Sequence, residues 1–131
     1  MMIGKFILWT SALVLVGYGL VGLVSPHIPA GFAGLEIGTG DAFAEVGAMY
    51  GGLQTGLGLF CALAALRSEY YQAGLILLVL AIGSLALARF ISQLVSIDPV
   101  TAYTYGAIMY EVATAIIAAA ALWNIGQTKK A

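Results

Sequence analysis

The sequence predicts an all-α fold, an integral membrane antiparallel four-helix bundle, and three observations carry that prediction. Of the 131 residues, 62% are hydrophobic and 8% are charged, with a mean hydropathy of +1.02. A soluble domain carries about 25% charged residues, so lipid has to be the principal solvent of this chain. Next come four apolar segments, Phe6–Val24, Val46–Leu66, Tyr71–Ile97 and Tyr103–Ile125. Each has about the 20 residues that a helix needs to cross some 30 Å of hydrocarbon. Last, the connections Arg67–Tyr70 and Asp98–Ala102 are short, which makes the second, third and fourth segments antiparallel neighbours. A span in lipid must satisfy its own backbone hydrogen bonds, and a helix does so where a lone strand does not. The prediction is one domain over 1–131, with helices over about 4–24, 45–66, 70–97 and 99–125 and an extracytoplasmic loop over 25–44.

The first helix begins behind Lys5 in the manner of a signal peptide, but Phe6–Val24 is too long for a signal core and reads as a retained span. The loop that follows holds Pro26, His27 and Pro29, several glycines, and the acids Glu36 and Asp41. Proline and glycine argue against a full helix there. The stretch reads as a solvated loop or as a lid over the outer end of the bundle, with Ala30–Leu35 able to lie in the interface. His27 has no companion at ligand spacing, so no metal site is predicted. The second helix carries Gly47-x-x-x-Gly51 and Gly52-x-x-x-Gly56, small-residue patterns that let helix backbones approach closely. The simplest partner is a helix of the same chain, and the alternative is another subunit. Cys61, the one cysteine, reads as a small packing residue.

Orientation follows from the basic residues. Lys5, Arg67, Lys129 and Lys130 fall at the N-terminus, the second connection and the C-terminus, and the other two connections have no Lys or Arg. Positive charge marks the cytoplasmic side, so both termini are predicted to be cytoplasmic in a multi-pass protein of the cell inner membrane. Trp9, Tyr70, Tyr71 and Trp123 then fall at the inner interface, and Tyr103 and Tyr105 at the outer one.

Two charges sit where lipid disfavours them. Arg89 lies 8 residues before Ile97, and Glu111 lies 8 residues after Tyr103. At 1.5 Å per residue both are about 12 Å below the outer end of their helices. Gln54 lies at a similar depth in the second helix, with Tyr50 one turn away on the same face. Tyr110 adjoins Glu111, and Gln93 extends the Arg89 face by one turn. An Arg at mid-bilayer costs about 2.5–3.5 kcal/mol on insertion scales, and an opposite charge at equal depth on the neighbouring helix relieves that cost. The prediction is an Arg89–Glu111 ion pair, bidentate where geometry allows, with Gln54 and tyrosine hydroxyls adding hydrogen bonds. Three other readings stay open: a purely structural clasp, an Arg89 that snorkels outward along Gln93 toward Glu45, and a pocket for a polar headgroup or small ligand.

The run Glu45-Val-Gly-Ala-Met-Tyr50-Gly51-Gly52, followed by Gly56 and Gly58, resembles the Glu…Tyr-Gly-Gly signature of an uncharacterised bacterial membrane family, a domain of unknown function. Its later pattern is similar too: Arg89, Ser92 or Ser96, Asp98 and Glu111 match an Arg, a Ser, an Asp at the turn and a Glu in the fourth helix. The family's Arg shortly after the first Glu is missing, since this chain has Val46 and Gly47 there. The resemblance covers about 6–121 and extends to the DoxX-like four-helix membrane proteins, some of which are tied to quinone-linked oxidation or act as accessory subunits. It implies the four-helix fold and a role for Glu45, Tyr50, Arg89 and Glu111. It implies no activity.

Three functional classes follow. The first is a non-enzymatic membrane protein that binds a lipid-like or quinone-like molecule, or supports a homo-oligomer or larger membrane complex. Its partner in either case is the lipid bilayer. The second is an enzyme on a membrane-dissolved substrate, with Glu111 as acid/base and Arg89 holding an anionic or carbonyl group. No nucleophile–base pair, metal set or phosphate loop accompanies them, so no catalytic residue is assigned, and no cofactor beyond a possible quinone or lipid. The third is a small oligomeric transporter, though no inverted repeat is visible. The net charge of −1 gives no reason to expect a nucleic-acid partner.

Overall fold

The computed structural model describes residues 2–128, and among them all regular structure is helical. Five helices follow in order: α1 (Met2–Val24), α2 (His27–Ala33), α3 (Gly40–Leu66), α4 (Ser68–Val95) and α5 (Ala102–Thr128). All but α2 are long and apolar enough to cross a membrane. Helices α3 and α4 each contain a wider π-helical stretch, Gly47–Leu53 and Leu78–Ile82. Lys129 and Lys130, used above for orientation, lie outside the described residues.

The breaks between helices have local causes. Arg67 alone separates α3 from α4, in an extended conformation with φ −110° and ψ 118°. Helix α4 stops at Val95, short of the expected 97, because Ser96 turns extended. The Ser96 hydroxyl donates to the Asp98 carbonyl at 2.9 Å, and Pro99 then disfavours helical backbone at Asp98. Helix α5 therefore starts at Ala102 rather than 99, and the Thr101 carbonyl accepts from the Thr104 amide at 3.1 Å.

The expected loop over 25–44 contains helix instead. Pro29 stands in the first turn of α2, where its missing N–H would have had no partner anyway. Gly34 ends α2 in the left-handed region at φ 69°. The Gly34 amide donates to the Gly31 carbonyl and the Leu35 amide to the Ala30 carbonyl, the two bonds of a Schellman ending. Helix α3 begins at Gly40 rather than 45 because the Thr39 hydroxyl accepts from the Ala42 amide at 3.1 Å and Asp41 adds a favourable first-turn charge.

The chain divides into two compact units, Trp9–Leu63 on one hand and Met1–Leu8 with Ala64–Ala131 on the other. In the unit Trp9–Leu63, glycines set the packing of α1 on α3. A Cβ added at Gly22 would lie 2.8 Å from the Tyr50 carbonyl oxygen, and one at Gly58 would lie 2.8 Å from the Val16 amide nitrogen. One at Gly51 would meet the Leu23 amide nitrogen at 2.8 Å. These are backbone atoms that no side-chain rotation can move. Thr55, opposite Gly19, donates its hydroxyl to the Gly51 carbonyl at 2.9 Å, inside the π-helical stretch. Tyr18 and Tyr50 meet edge to face with centroids 6.5 Å apart. Cys61 is fully buried, as a packing residue would be. A Cβ at Gly52 or Gly56 meets nothing within 4 Å among the described residues.

In the other unit, α4 packs along α5, with Leu75, Leu78, Ile82 and Ala86 of α4 and Ala118 and Ala121 of α5 buried. Small residues again permit the approach: a Cβ on Gly83 would stand 3.6 Å from that of Ala115. At the start of α1, Gly4 leaves room for Tyr71 and for Ala121, and Leu8 fills space beside Gly74.

Candidate functional site

The polar centre of the α4–α5 unit is a bidentate ion pair. Arg89 Nη2 donates to Glu111 Oε1 at 2.8 Å, and Arg89 Nε donates to Oε2 at 3.1 Å and to Oε1 at 3.2 Å. The planar guanidinium fork matches the carboxylate, which gives the pair direction as well as charge complementarity. The Glu111 side chain is 6% exposed and that of Arg89 26%. Arg89 sits 6 residues from the end of α4 and Glu111 9 residues from the start of α5, so both lie about 9–14 Å along their helices.

Other polar groups share this unit. Gln93 stands one turn from Arg89, and its side-chain oxygen is buried with no hydrogen-bond partner among the described residues. The Tyr110 hydroxyl is buried beside Glu111 in sequence. Thr114, one turn beyond Glu111, is 2% exposed and was missed by the sequence reading. Its i+3 spacing from Glu111 was the available signal. The ion pair predicted from depth is therefore present, with Gln93 and Tyr110 on the same two helices.

Tyr50, Gln54 and Glu45 belong to the unit Trp9–Leu63. Tyr50 is half-buried against Tyr18, Gln54 is half-buried, and Glu45 is exposed on the second turn of α3. His27 packs its ring on that of Phe43, with centroids 5.6 Å apart. Among the described residues no group of three or more His, Cys, Asp or Glu side chains is placed to hold a metal ion.

An apolar groove of about 270 Å³ runs between the same two helices, α4 and α5. Gly83, Ala86 and Phe90 form one wall, and Ile108, Val112 and Ala115 form the other. On each helix a groove residue directly follows the charged one in sequence, Phe90 after Arg89 and Val112 after Glu111, so its side chain points about 100° further round the helix. The small side chains at 83, 86 and 115 keep it open. In chemical terms the unit offers one satisfied charge pair, one buried amide oxygen and an open apolar groove.

Residues 3–123 match the family described as a domain of unknown function, DUF4345. The chain belongs to the DUF4345 family. The match takes in α2, α3 and α4 whole, all but the first residue of α1 and α5 as far as residue 123, and with them Glu45, Tyr50, Arg89 and Glu111. No curated protein and no solved structure matches the chain. For this DUF4345 member, function has to be argued from the site.

Proposed function

We propose that this chain is a non-enzymatic multi-pass membrane protein that holds a lipid-like or quinone-like molecule in the α4–α5 groove, beside the Arg89–Glu111 pair. The observation that carries the proposal is the juxtaposition on one helix pair of a wholly apolar groove and a buried polar group. Such a combination suits an amphiphile with a hydrocarbon body and a small polar end. The partnerless oxygen of Gln93 is an acceptor for a hydroxyl at that end.

The long helices are proposed to form one antiparallel four-helix bundle in the inner membrane, with both termini cytoplasmic. Contact order supports the antiparallel runs inside each unit: Val16 meets Gly58 while Gly22 meets Tyr50, and Gly83 meets Ala115 while Arg89 meets Glu111. Tyr50 and Gln54 are proposed to lie on the outer half of α3, with Glu45 nearest the outer rim. Kinship with the DoxX-like proteins and a bacterial source belong to the same proposal and rest on the motifs Glu45…Tyr50-Gly51-Gly52 and Arg89…Asp98…Glu111.

An accessory role in a homo-oligomer or larger complex is the second reading, favoured by the open flank of α3 at Gly52 and Gly56. The enzymatic reading is weaker because the Glu111 carboxylate is already engaged by the Arg89 fork. The transporter reading is weaker still, since the groove is apolar along its length. The test is mass spectrometry of small molecules extracted from the purified protein. A defined amphiphile should accompany the wild type and be lost from Ala115→Leu, whose larger side chain fills the groove. Equal recovery from both proteins would refute the groove as the site.

A further inference from the structure

We infer that α2 is a membrane-interface anchor, whose exposed apolar flank is covered by acyl chains of the leaflet into which α1 ends. This inference rests on the membrane-spanning reading but not on the ligand proposal. Only Ser25 and Pro26 separate Val24, the last residue of the α1 span, from His27, the first of α2. The three Cα steps from Val24 to His27 reach about 11 Å at most. The Ser25 amide donates to the Val21 carbonyl and the Ile28 amide to the Ser25 carbonyl, which folds the link shorter than that, so α2 starts at the headgroup layer if α1 spans.

Side chains then fix which flank meets lipid. Pro29 and Ala30 are buried within the unit, and the His27 ring is held on Phe43. Pro26 is buried beside Gly47. These contacts leave Ile28 and Phe32, four residues apart on one face, turned outward at 45% and 57% exposure. Leu35, just past the Gly34 turn, is exposed as well.

That flank is continuous with the spanning surface. An apolar groove of about 260 Å³ joins Leu20, Val21 and Val24 of α1 to Ile28 of α2. From residue 25 to 35 the chain has no Asp, Glu, Lys or Arg, and the first charge is Glu36. A short helix lying in the interface sinks its apolar face about 5–10 Å below the headgroups, and this flank is built for that depth. Water would leave several large apolar side chains together in solvent, and the commitment here is to lipid because the patch runs unbroken into α1.

The experiment uses the full chain in a Cys61→Ala background, reconstituted in phosphatidylcholine vesicles and nitroxide-labelled at Phe32→Cys, with Ile28→Cys as a second position on the same flank. Glu36→Cys is the polar control and Ile116→Cys the mid-span control. Labels at 32 and 28 should collide with oxygen several-fold more than with a water-soluble nickel chelate, and the label at 36 should show the reverse. Chelate-dominated collision at 32 and 28 overturns the inference, and so does shielding from both reagents, which would indicate a second copy or another protein on the flank. A label at 116 that reads deep assigns the failure to α2 alone. A label at 116 that reads water overturns the membrane-spanning reading and this inference with it.

Discussion

Replacing Arg89 and Glu111 by leucine, singly and together, measures what the ion pair contributes. Removing one partner of a buried pair costs about 3–5 kcal/mol, because the survivor stays desolvated without its counter-charge. The two single variants should differ, since the Arg89 side chain is 26% exposed and that of Glu111 6%. After Glu111→Leu the arginine can swing its head toward the polar boundary, so the loss should fall near the low end, about 3 kcal/mol. After Arg89→Leu the carboxylate has no such exit and stays desolvated without its counter-charge, and the loss should be about 4 kcal/mol. The double variant replaces the pair by apolar side chains of a kind the surroundings already hold, and should lie within about 1 kcal/mol of wild type. The assay is reversible unfolding in mixed micelles by titration with dodecyl sulfate, followed by circular dichroism. Ordinary interhelical hydrogen bonds in membranes give coupling energies of about 0.6 kcal/mol, with a maximum near 1.7. A coupling below that maximum, or single losses that simply add in the double variant, would refute the argument that each charge depends on the other.

Two further predictions concern packing and orientation. Gly22→Ala and Gly58→Ala place a Cβ within 2.8 Å of backbone and should each cost about 1–3 kcal/mol in the same titration. Gly52→Ala and Gly56→Ala meet open space and should be neutral or gain up to about 1 kcal/mol from helix propensity, so equal losses in both sets would contradict the packing described. A reporter active only in the cytoplasm, fused after residue 131, should be active, whereas one inserted at Asp98 should be silent. The reverse pattern would invert the topology proposed from Lys5 and Arg67.

The polar pair was legible in the sequence because charges are rare in an apolar span. With so few polar residues available, Arg89 and Glu111 at similar distances from one short turn leave few pairings to choose among. The four long helices were legible for a similar reason, since lipid leaves the backbone no other economical form. Helix α2 was not legible. Its seven residues are too few to display a period, and Pro29 reads as a breaker unless it is known to stand in the first turn. The groove was hidden as well. Gly83, Ala86 and Ala115 mark it only once α4 and α5 are laid together, because glycine and alanine recur at other positions of both helices.

The glycines of α3 show where a sequence pattern stops being informative. Gly47-x-x-x-Gly51 and Gly52-x-x-x-Gly56 have the same form, yet Gly51 is pressed against α1 and Gly52 and Gly56 face open space. Their neighbours in the chain do not distinguish them. The difference lies in the partner, since Gly19 and Gly22 of α1 present their own bare backbone to the flank that carries Gly51 and Gly58. The π-helical stretch Gly47–Leu53 adds a second obstacle, because its wider turn shifts the faces that a uniform period of 3.6 assigns. In such a helix the bare flank that finds a bare flank opposite becomes the interface, and the other remains free for whatever the membrane brings to it.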